Sequence, residues 1–315
     1  MDKPRIVFMG TPEFAVPSLR LLIERQEDLV CVVTQPDRPV GRGRKLLPSP
    51  IKKIACEQGM AVLQPERIRE PGFSAAFSRL SADLAVVAAY GQIIPGRLLD
   101  MPRHGFINVH SSLLPAYRGA APVNWALING DRQTGVTIMQ LDEGMDTGDI
   151  IIQQEIPILP EDDAATLHDR LAVAGAELLG KALDILREGA WRPVPQSDAD
   201  ATCAPLLKKE DGLVVWENDA AGIANRVRGM TPWPGCFTWL NGRMLKIHRA
   251  RAIDRQPPVA PGQVVSVSRL GIEVATGRGS LLISQVQIEG KRKMAADEFI
   301  RGHRLAPGTS FTKAP

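Results

Sequence analysis

No stretch of the chain is apolar for long enough to cross a membrane as a helix: runs such as Leu84 to Tyr90 fall well short of the roughly 18 to 20 residues a span needs. No secretion signal is expected either, because Lys3 and Arg5 precede only Ile6 to Met9 before Gly10, Thr11, Pro12 and Glu13 interrupt. Cysteine is scarce. Cys31, Cys56, Cys203 and Cys236 are scattered with no pair at metal-ligand spacing, and they are expected to be reduced, buried thiols of a cytoplasmic protein. There is no internal repeat and no low-complexity segment. What is present is ordinary globular composition, 315 residues with 44% hydrophobic and 23% charged. That composition excludes disorder, collagen and coiled coil, and it suffices for one large core or two modest ones in a soluble protein.

A charge excess of one sign is nearly absent too, at +3 overall, yet the average hides a division. Residues 1–189 carry 20 basic and 24 acidic side chains, net −4, whereas 190–315 carry 18 and 11, net +7. A basic field on a small domain attracts polyanions, nucleic acid first among them; a basic solvated face is the plainer alternative.

The first half alternates short β-rich runs with helical patterns. Strands are expected at Arg5 to Met9, Leu29 to Thr34, Leu84 to Ala89, Phe106 to His110, Gly135 to Leu141 and Ile150 to Ile156, with a weaker one at Ala61 to Leu63. Several lack alternation, as strands buried on both faces do. Helices are expected from Pro12 to Glu27, with Thr11 as N-cap, from Pro50 to Gln58 behind Ser49, and from Asp162 to Glu188. Together these predict an α/β, Rossmann-like domain on a mostly parallel sheet, residues 1–189. Residues 190–210, with Pro193, Pro195 and Pro205 and no apolar period, have the composition of a linker. Residues 211–315 then predict a helix from Asp219 to Arg228 and five short strands. Among these, Asn241-Gly242 between Cys236–Leu240 and Arg243–Ala250 signals a type I′ hairpin, and the set suggests a small OB-like β-barrel.

Two phosphate-binding fingerprints are missing. Gly10 is followed by Thr11-Pro12-Glu13, so G-x-G-x-x-G fails at its second glycine, and Gly41-Arg42-Gly43-Arg44-Lys45 lacks the P-loop spacing. The latter lies in a Pro-bounded loop from Pro36 to Pro50, read as long and flexible, whose Arg38, Arg42, Arg44 and Lys45 suit a clamp on a phosphate backbone. The densest chemistry sits at the end of the Phe106–His110 strand. Asn108 and His110, two apart, share a face at the carboxyl end of a strand, where open α/β sheets keep their ligand crevice. Two donors there suit a developing oxyanion. A carboxylate from Asp142-Glu143-Gly144-Met145-Asp146-Thr147-Gly148-Asp149 would orient His110, Asp146 for preference, with Asp142, Glu143 and Asp149 as competitors. A zinc site lacks its His or Cys spacing, and no metal is expected.

Asn108-x-His110, Ser112-Leu113-Leu114-Pro115, Arg118-Gly119-Ala120-Ala121-Pro122 and Asp142-x-Gly144-x-Asp146-Thr147-Gly148 together resemble the folate-dependent formyltransferases. Phe8 to Ala15, the Gln35–Pro50 loop and Thr231-Pro232-Trp233-Pro234-Gly235 extend the likeness, along essentially the whole chain, to the members that act on tRNA. The resemblance implies that 10-formyltetrahydrofolate gives its formyl group to the α-amine of methionine esterified to initiator tRNA. Asn108, His110 and Asp146 would be catalytic. The pterin would lie against the loop carrying Val86, Val87, Ala88, Tyr90, Gln92 and Ile93, with Ser112, Leu113, Leu114 and Pro115 lining the folate site and Asp142 and Gly144 beside it. The tRNA would meet Arg38, Arg42, Arg44 and Lys45 on the loop and Lys208, Lys209, Lys246 and Arg249 in the basic half. A monomer is implied. The same motifs also occur in enzymes that formylate amino sugars or a purine-pathway ribonucleotide, or that hydrolyse the same folate. A small substrate would leave the basic half without a task. A nucleic-acid-binding module on an inactive α/β scaffold is a further reading, opposed by the intact Asn108, His110 and Asp146 set.

Overall fold

Apolar runs without alternation become the centre of a sheet covered on both faces. In the computed structural model, which describes residues 3–40, 45–303 and 305–314, the chain begins with β1 (Arg5–Gly10), α1 (Val16–Glu24) and β2 (Asp28–Val33). Next come β3 (Arg38–Val40), β4 (Lys45–Leu47), α2 (Pro50–Glu57), β5 (Val62–Leu63), α3 (Pro71–Ser78), β6 (Leu84–Ala88), α4 (Gly96–Leu99) and β7 (Phe106–His110). After α5 (Pro122–Asn129), β8 (Gln133–Gln140), β9 (Ile150–Pro157) and α6 (Ala164–Arg187) complete the first half. The main sheet runs β5-β2-β1-β6-β7-β8-β9, parallel from β5 to β7, with β8 antiparallel to β7. Ile6, Phe8, Leu84, Val86 and Ile107 are fully buried within it, each worth on the order of 1.5–3 kcal/mol against exposure. A core of Val7, Met9, Val33, Phe73, Phe77, Val87 and Phe106 forms one cluster of this unit.

The chain divides into two compact units. One comprises Met1–Gly119, Thr134–Pro157 and His168–Ala204; the other comprises Ala120–Gln133, Ile158–Leu167 and Pro205–Pro315. Several local expectations change. Thr11 is not an N-cap: its Oγ1 donates to the Tyr90 carbonyl at 2.9 Å, a 3-10 turn covers Glu13–Ala15, and the α-helix starts only at Val16. Ser49 does cap α2, its Oγ accepting from Lys52 N–H at 3.0 Å, an interaction worth about 1 kcal/mol. The Pro36 to Pro50 loop is an antiparallel arm, β3 paired with β4, rather than structureless chain. The cysteines are free, but only Cys31 and Cys236 are buried; Cys56 and Cys203 are exposed.

In the second unit Asp219 caps α7 (Ala220–Gly229), its Oδ1 accepting from Gly222 N–H at 2.6 Å. β10 (Cys236–Leu240) and β11 (Arg243–Ile253) meet through Asn241 and Gly242, at φ +49° and +74°, the two left-handed residues a type I′ turn requires. β12 (Val264–Ser268), β13 (Gly271–Ala275), β14 (Ser280–Ile288) and the short β15 (Met294–Ala295) follow, then α8 (Ala296–Gly302). The antiparallel order β10-β11-β14-β13-β12 leaves two edges. Residues 309–312 join them: Thr312 and Trp239 exchange backbone hydrogen bonds at 3.0 Å, and Val264 N–H donates to Thr309 O at 2.8 Å. This gives a small barrel whose edges are closed rather than left to pair with other chains. Its interior holds Trp216, Leu245, Ile247, Ile272, Val274, Ile283 and Phe299.

Candidate active site

β7 carries the site because its buried apolar residues fix it between β6 and β8, with Asn108 level with Val87 and Met139 and His110 level with Thr137. Asn108 is half-buried, and among the described residues no partner hydrogen-bonds its side-chain amide. His110 is buried, and both ring nitrogens face an oxygen atom. Nε2 lies 3.1 Å from Tyr117 O, and Nδ1 lies 3.7 Å from Asp146 Oδ1. The other oxygen of Asp146, Oδ2, accepts the backbone N–H of Gly119 at 2.9 Å. Asp146 itself has φ +56°, a left-handed conformation that Asp tolerates better than most residues.

The loop after β7 is shaped from within. Thr137 Oγ1 donates to Ser112 O at 2.7 Å and accepts from Leu114 N–H at 3.1 Å, while Gln153 Nε2 donates to Leu114 O at 2.8 Å. The Leu114–Pro115 bond is cis. In the 142–149 turn, Asp142 accepts from Gly144 N–H at 3.0 Å and from Thr147 Oγ1 at 2.7 Å, so its carboxylate staples the turn. Gln196 Nε2 donates to Asp146 O at 2.9 Å and Gly148 O at 2.6 Å. Tyr117, Gly119 and Gln196 escape a reading of the sequence, the first two because they act through backbone atoms, the third because it sits in linker-like chain.

Of the folate candidates, Val86, Val87, Ala88, Tyr90 and Leu114 are buried, and the fully buried Ser112 donates its hydroxyl to Ala116 O at 2.6 Å. Their side chains are committed to the interior, so what they offer a ligand is backbone. Gln92 is likewise occupied, accepting from Ile68 N–H at 2.9 Å. Open side chains are Ile93, 63% exposed, and the neighbouring-turn Met145, 66% exposed. Leu113 and Pro115 are half-buried and Gly144 is exposed. Tyr90 O accepts from Thr11 Oγ1 and, at 3.3 Å, from Gln35 Nε2, whose Oε1 in turn accepts from Arg38 Nη2 at 3.3 Å. This chain of bonds ties the loop after β6 to the base of the β3–β4 arm. Among the described residues no group of three or more His, Cys, Asp or Glu side chains is arranged to hold a metal ion, and no helix is long and apolar enough to cross a membrane.

Arg42 and Arg44, and the side chain of Lys45, lie outside the described residues. In the second unit Lys208 and Lys209 are exposed, Lys246 is half-buried, and Arg249 is exposed at a register shift between β11 and β14. On the same face as Lys246 lie Phe237, Trp239 and His248, because alternate residues of β10 and β11 point inward. Burial pushes the His248 imidazole below its ordinary range, and Lys293 and Lys246 push the same way, against the hydrogen bond with Gln287.

The family models describe residues 4–183 as formyl transferase and 206–304 as formyl transferase, C-terminal domain. The methionyl-tRNA formyltransferase of Citrifermentans bemidjiense is 52% identical over 98% of this chain and 96% of its own. That of Geobacter sulfurreducens is 51% identical over 98% and 97%. Among solved structures, an N-formyltransferase from Helicobacter canadensis, in complex with folinic acid and dTDP-3-aminofucose, superposes with TM-score 0.68 at 18% identity, covering 92% of this chain and all of its own. HypX from Aquifex aeolicus, in complex with tetrahydrofolic acid, gives 0.62 at 18%, covering 95% of this chain and 47% of its own. At that identity the structures speak to fold alone. The full-length identities go further: this chain belongs to the methionyl-tRNA formyltransferase family of formyl transferases.

Proposed function

We propose that this enzyme moves a formyl group from 10-formyltetrahydrofolate to the α-amine of methionine on initiator tRNA, using Asn108, His110 and Asp146. The observation that carries the reading is the buried His110 with the Asp146 carboxylate 3.7 Å from Nδ1 at the carboxyl end of β7. The folate supplies an activated formyl group on its N10. Asn108, its amide unpartnered, donates to the formyl oxygen as negative charge builds there. A carbonyl only accepts, so the His110 Nε2 facing Tyr117 O carries a proton; a second proton on Nδ1 makes the ring a cation facing Asp146. With Nε2 so held, His110 acts chiefly through its charge and Asn108 is the direct donor. Asp146, fixed by Gly119, complements that charge and, through water, helps carry the amine's proton towards the departing nitrogen. No acyl-enzyme is needed, because the nucleophile belongs to the substrate.

The residues present suit such a folate. Ala89 and Gly91 are exposed residues whose backbone groups would offer hydrogen-bonding edges to a heterocycle, and Ile93 and Met145 would offer apolar cover. The arm carrying Arg38, Arg42, Arg44 and Lys45, and the outer face of the barrel with Lys246 and Arg249, would take the tRNA backbone, with Lys208 and Lys209 adding charge. The reading makes the protein a cytoplasmic monomer that needs no metal. Incubation with 10-formyltetrahydrofolate and methionyl initiator tRNA, beside deacylated tRNA and amino sugars, tests it. Formylation of methionyl-tRNA alone is expected; transfer to amino sugars, or folate hydrolysis at a comparable rate, would overturn the substrate assignment. Asp146→Ala is expected to lower turnover by about 100-fold or more while the thermal midpoint stays near that of the parent. A variant keeping most of its turnover removes Asp146 from the mechanism.

A further inference from the structure

The function leaves residues 190–207 without a part, yet 194–204 is bonded along the site. Arg118 N–H donates to Thr202 O and Ala204 N–H to Arg118 O, both at 2.8 Å, and Tyr117 N–H donates to Thr202 Oγ1 at 2.8 Å. The backbones of Val194 and Ile150 exchange hydrogen bonds at 2.8 Å. Within this run Gln196 uses all of its amide. Nε2 donates to Asp146 O and Gly148 O, at 2.9 and 2.6 Å, and Oε1 accepts from Arg118 Nε at 3.0 Å. One side chain therefore joins the two loops that meet at His110: the turn that presents Asp146, and the 115–119 loop whose Tyr117 O and Gly119 N–H contact His110 and Asp146.

Resting on the assignment of Asp146 above, we propose that Gln196 is a positioning residue, its amide bridging the Asp146–Gly148 turn to Arg118 so that the carboxylate stays against His110. A left-handed non-glycine residue persists only where its surroundings hold it, and the carbonyls Gln196 grips belong to that residue and to Gly148, two further along. Both donors are required. A glutamate of the same shape has none when ionised, and it sets a negative charge against two carbonyl oxygens. Asp198 provides the contrast: its Oδ1 accepts from Arg118 Nη1 at 2.9 Å while the side chain stays exposed, so it tightens the same clasp without touching the turn.

The test is steady-state kinetics on full-length Gln196→Glu and Gln196→Ala, with Asp198→Ala measuring what a merely looser clasp does. Both Gln196 variants are expected to lose about 10- to 100-fold in kcat, with KM for 10-formyltetrahydrofolate and for methionyl-tRNA little changed, and Asp198→Ala is expected to keep its kcat. A normal kcat in Gln196→Glu overturns the inference, as does a loss carried by KM or shared equally by Asp198→Ala. Asp146→Ala, assayed alongside, separates the two levels. If it is inactive while Gln196→Glu is normal, only the positioning role falls; if it is active, the reading of Asp146 falls first.

Discussion

At the scale of single residues, the site depends on places where a side chain is excluded as much as on those where one acts. A Cβ at Gly148 would lie 2.0 Å from Gln140 O and 2.9 Å from Gln140 C, backbone atoms at the end of β8 that have no rotamer through which to retreat. At Gly144 the obstruction is Thr147 Oγ1 at 1.9 Å, the end of a side chain that can turn away at the cost of its bond to Asp142. Gly148→Ala is therefore expected to displace the 142–149 turn and lower kcat by about 10- to 100-fold, with folding retained, whereas Gly144→Ala is expected to cost much less. Kinetics and thermal unfolding on the pair would check this, and equal kcat values would show that the return of the turn does not govern the placement of Asp146. The thiols show the same dependence on position. Burial pushes Cys31 up to about 11 and Cys236 up to about 12, which leaves those two inert as nucleophiles, while Cys56 and Cys203 stand in solvent.

Among the elements, the β3–β4 arm belongs to the first unit. Its base is bonded into the first unit through Gln35, Arg38 and the Asp37–Lys52 pair at 2.7 Å. Leu46 and Leu47, opposite Pro39 and Arg38, stand exposed. Arg42→Ala is expected to weaken use of methionyl-tRNA, to leave KM for the folate unchanged, and to reduce the salt slope of tRNA binding by about one. Equal rates for variant and parent across several salt concentrations would take Arg42 out of tRNA binding. The arm is hard to recognise in the sequence because Arg38-Pro39-Val40 and Lys45-Leu46-Leu47 are strands of three residues, too short to carry an alternation to read. The sheet is easier: β1, β6 and β7 are short apolar runs bounded by Gly or polar residues, and Asn241-Gly242 admits little but a tight turn. Helices α3 and α5 escape a sequence reading for a physical reason. Pro71-Gly72 is a poor helix opening, and α5 buries Pro122, Val123, Ala126, Leu127 and Ile128 around most of its circumference, which erases the amphipathic stripe. At the proposed site, Asn108, His110 and the acidic turn are legible because what they offer is carried by their side chains. The Tyr117 carbonyl and Gly119 amide are not, since every residue has such groups and only folding selects which of them meet.

For the whole molecule, the division into two units alters the meaning of the charge contrast. Counted by unit rather than by halves of the sequence, the first carries 20 basic and 22 acidic residues, net −2, and the second 18 and 13, net +5, because Asp131, Glu161, Asp162 and Asp163 fall in the second. The second unit is basic but not uniformly so, and one of its carboxylates is structural. Glu273 is buried on β13. Burial drives its carboxyl upward, but the hydrogen bonds from Arg255 at 2.7 Å, Ser280 at 2.8 Å and Ser266 at 2.9 Å outweigh that and hold it below the ordinary range. A carboxyl depressed in the folded state stabilises fully above its unfolded value, about 4.3, and the stabilisation is lost as pH falls from there through the folded value. Arg255 is largely exposed, so its share is screened by solvent and the two serine hydroxyls matter more than its charge suggests. Glu273→Gln is thus expected to lower the melting temperature at pH 7, and the gap to the parent is expected to narrow as pH falls below about 4.3. Tryptophan emission reads the right part of the molecule, because Trp125, Trp216, Trp233 and Trp239, four of the five tryptophans, belong to the second unit. A gap that stayed constant from pH 7 to pH 3 would show that the carboxylate's ionisation is not what holds that barrel together.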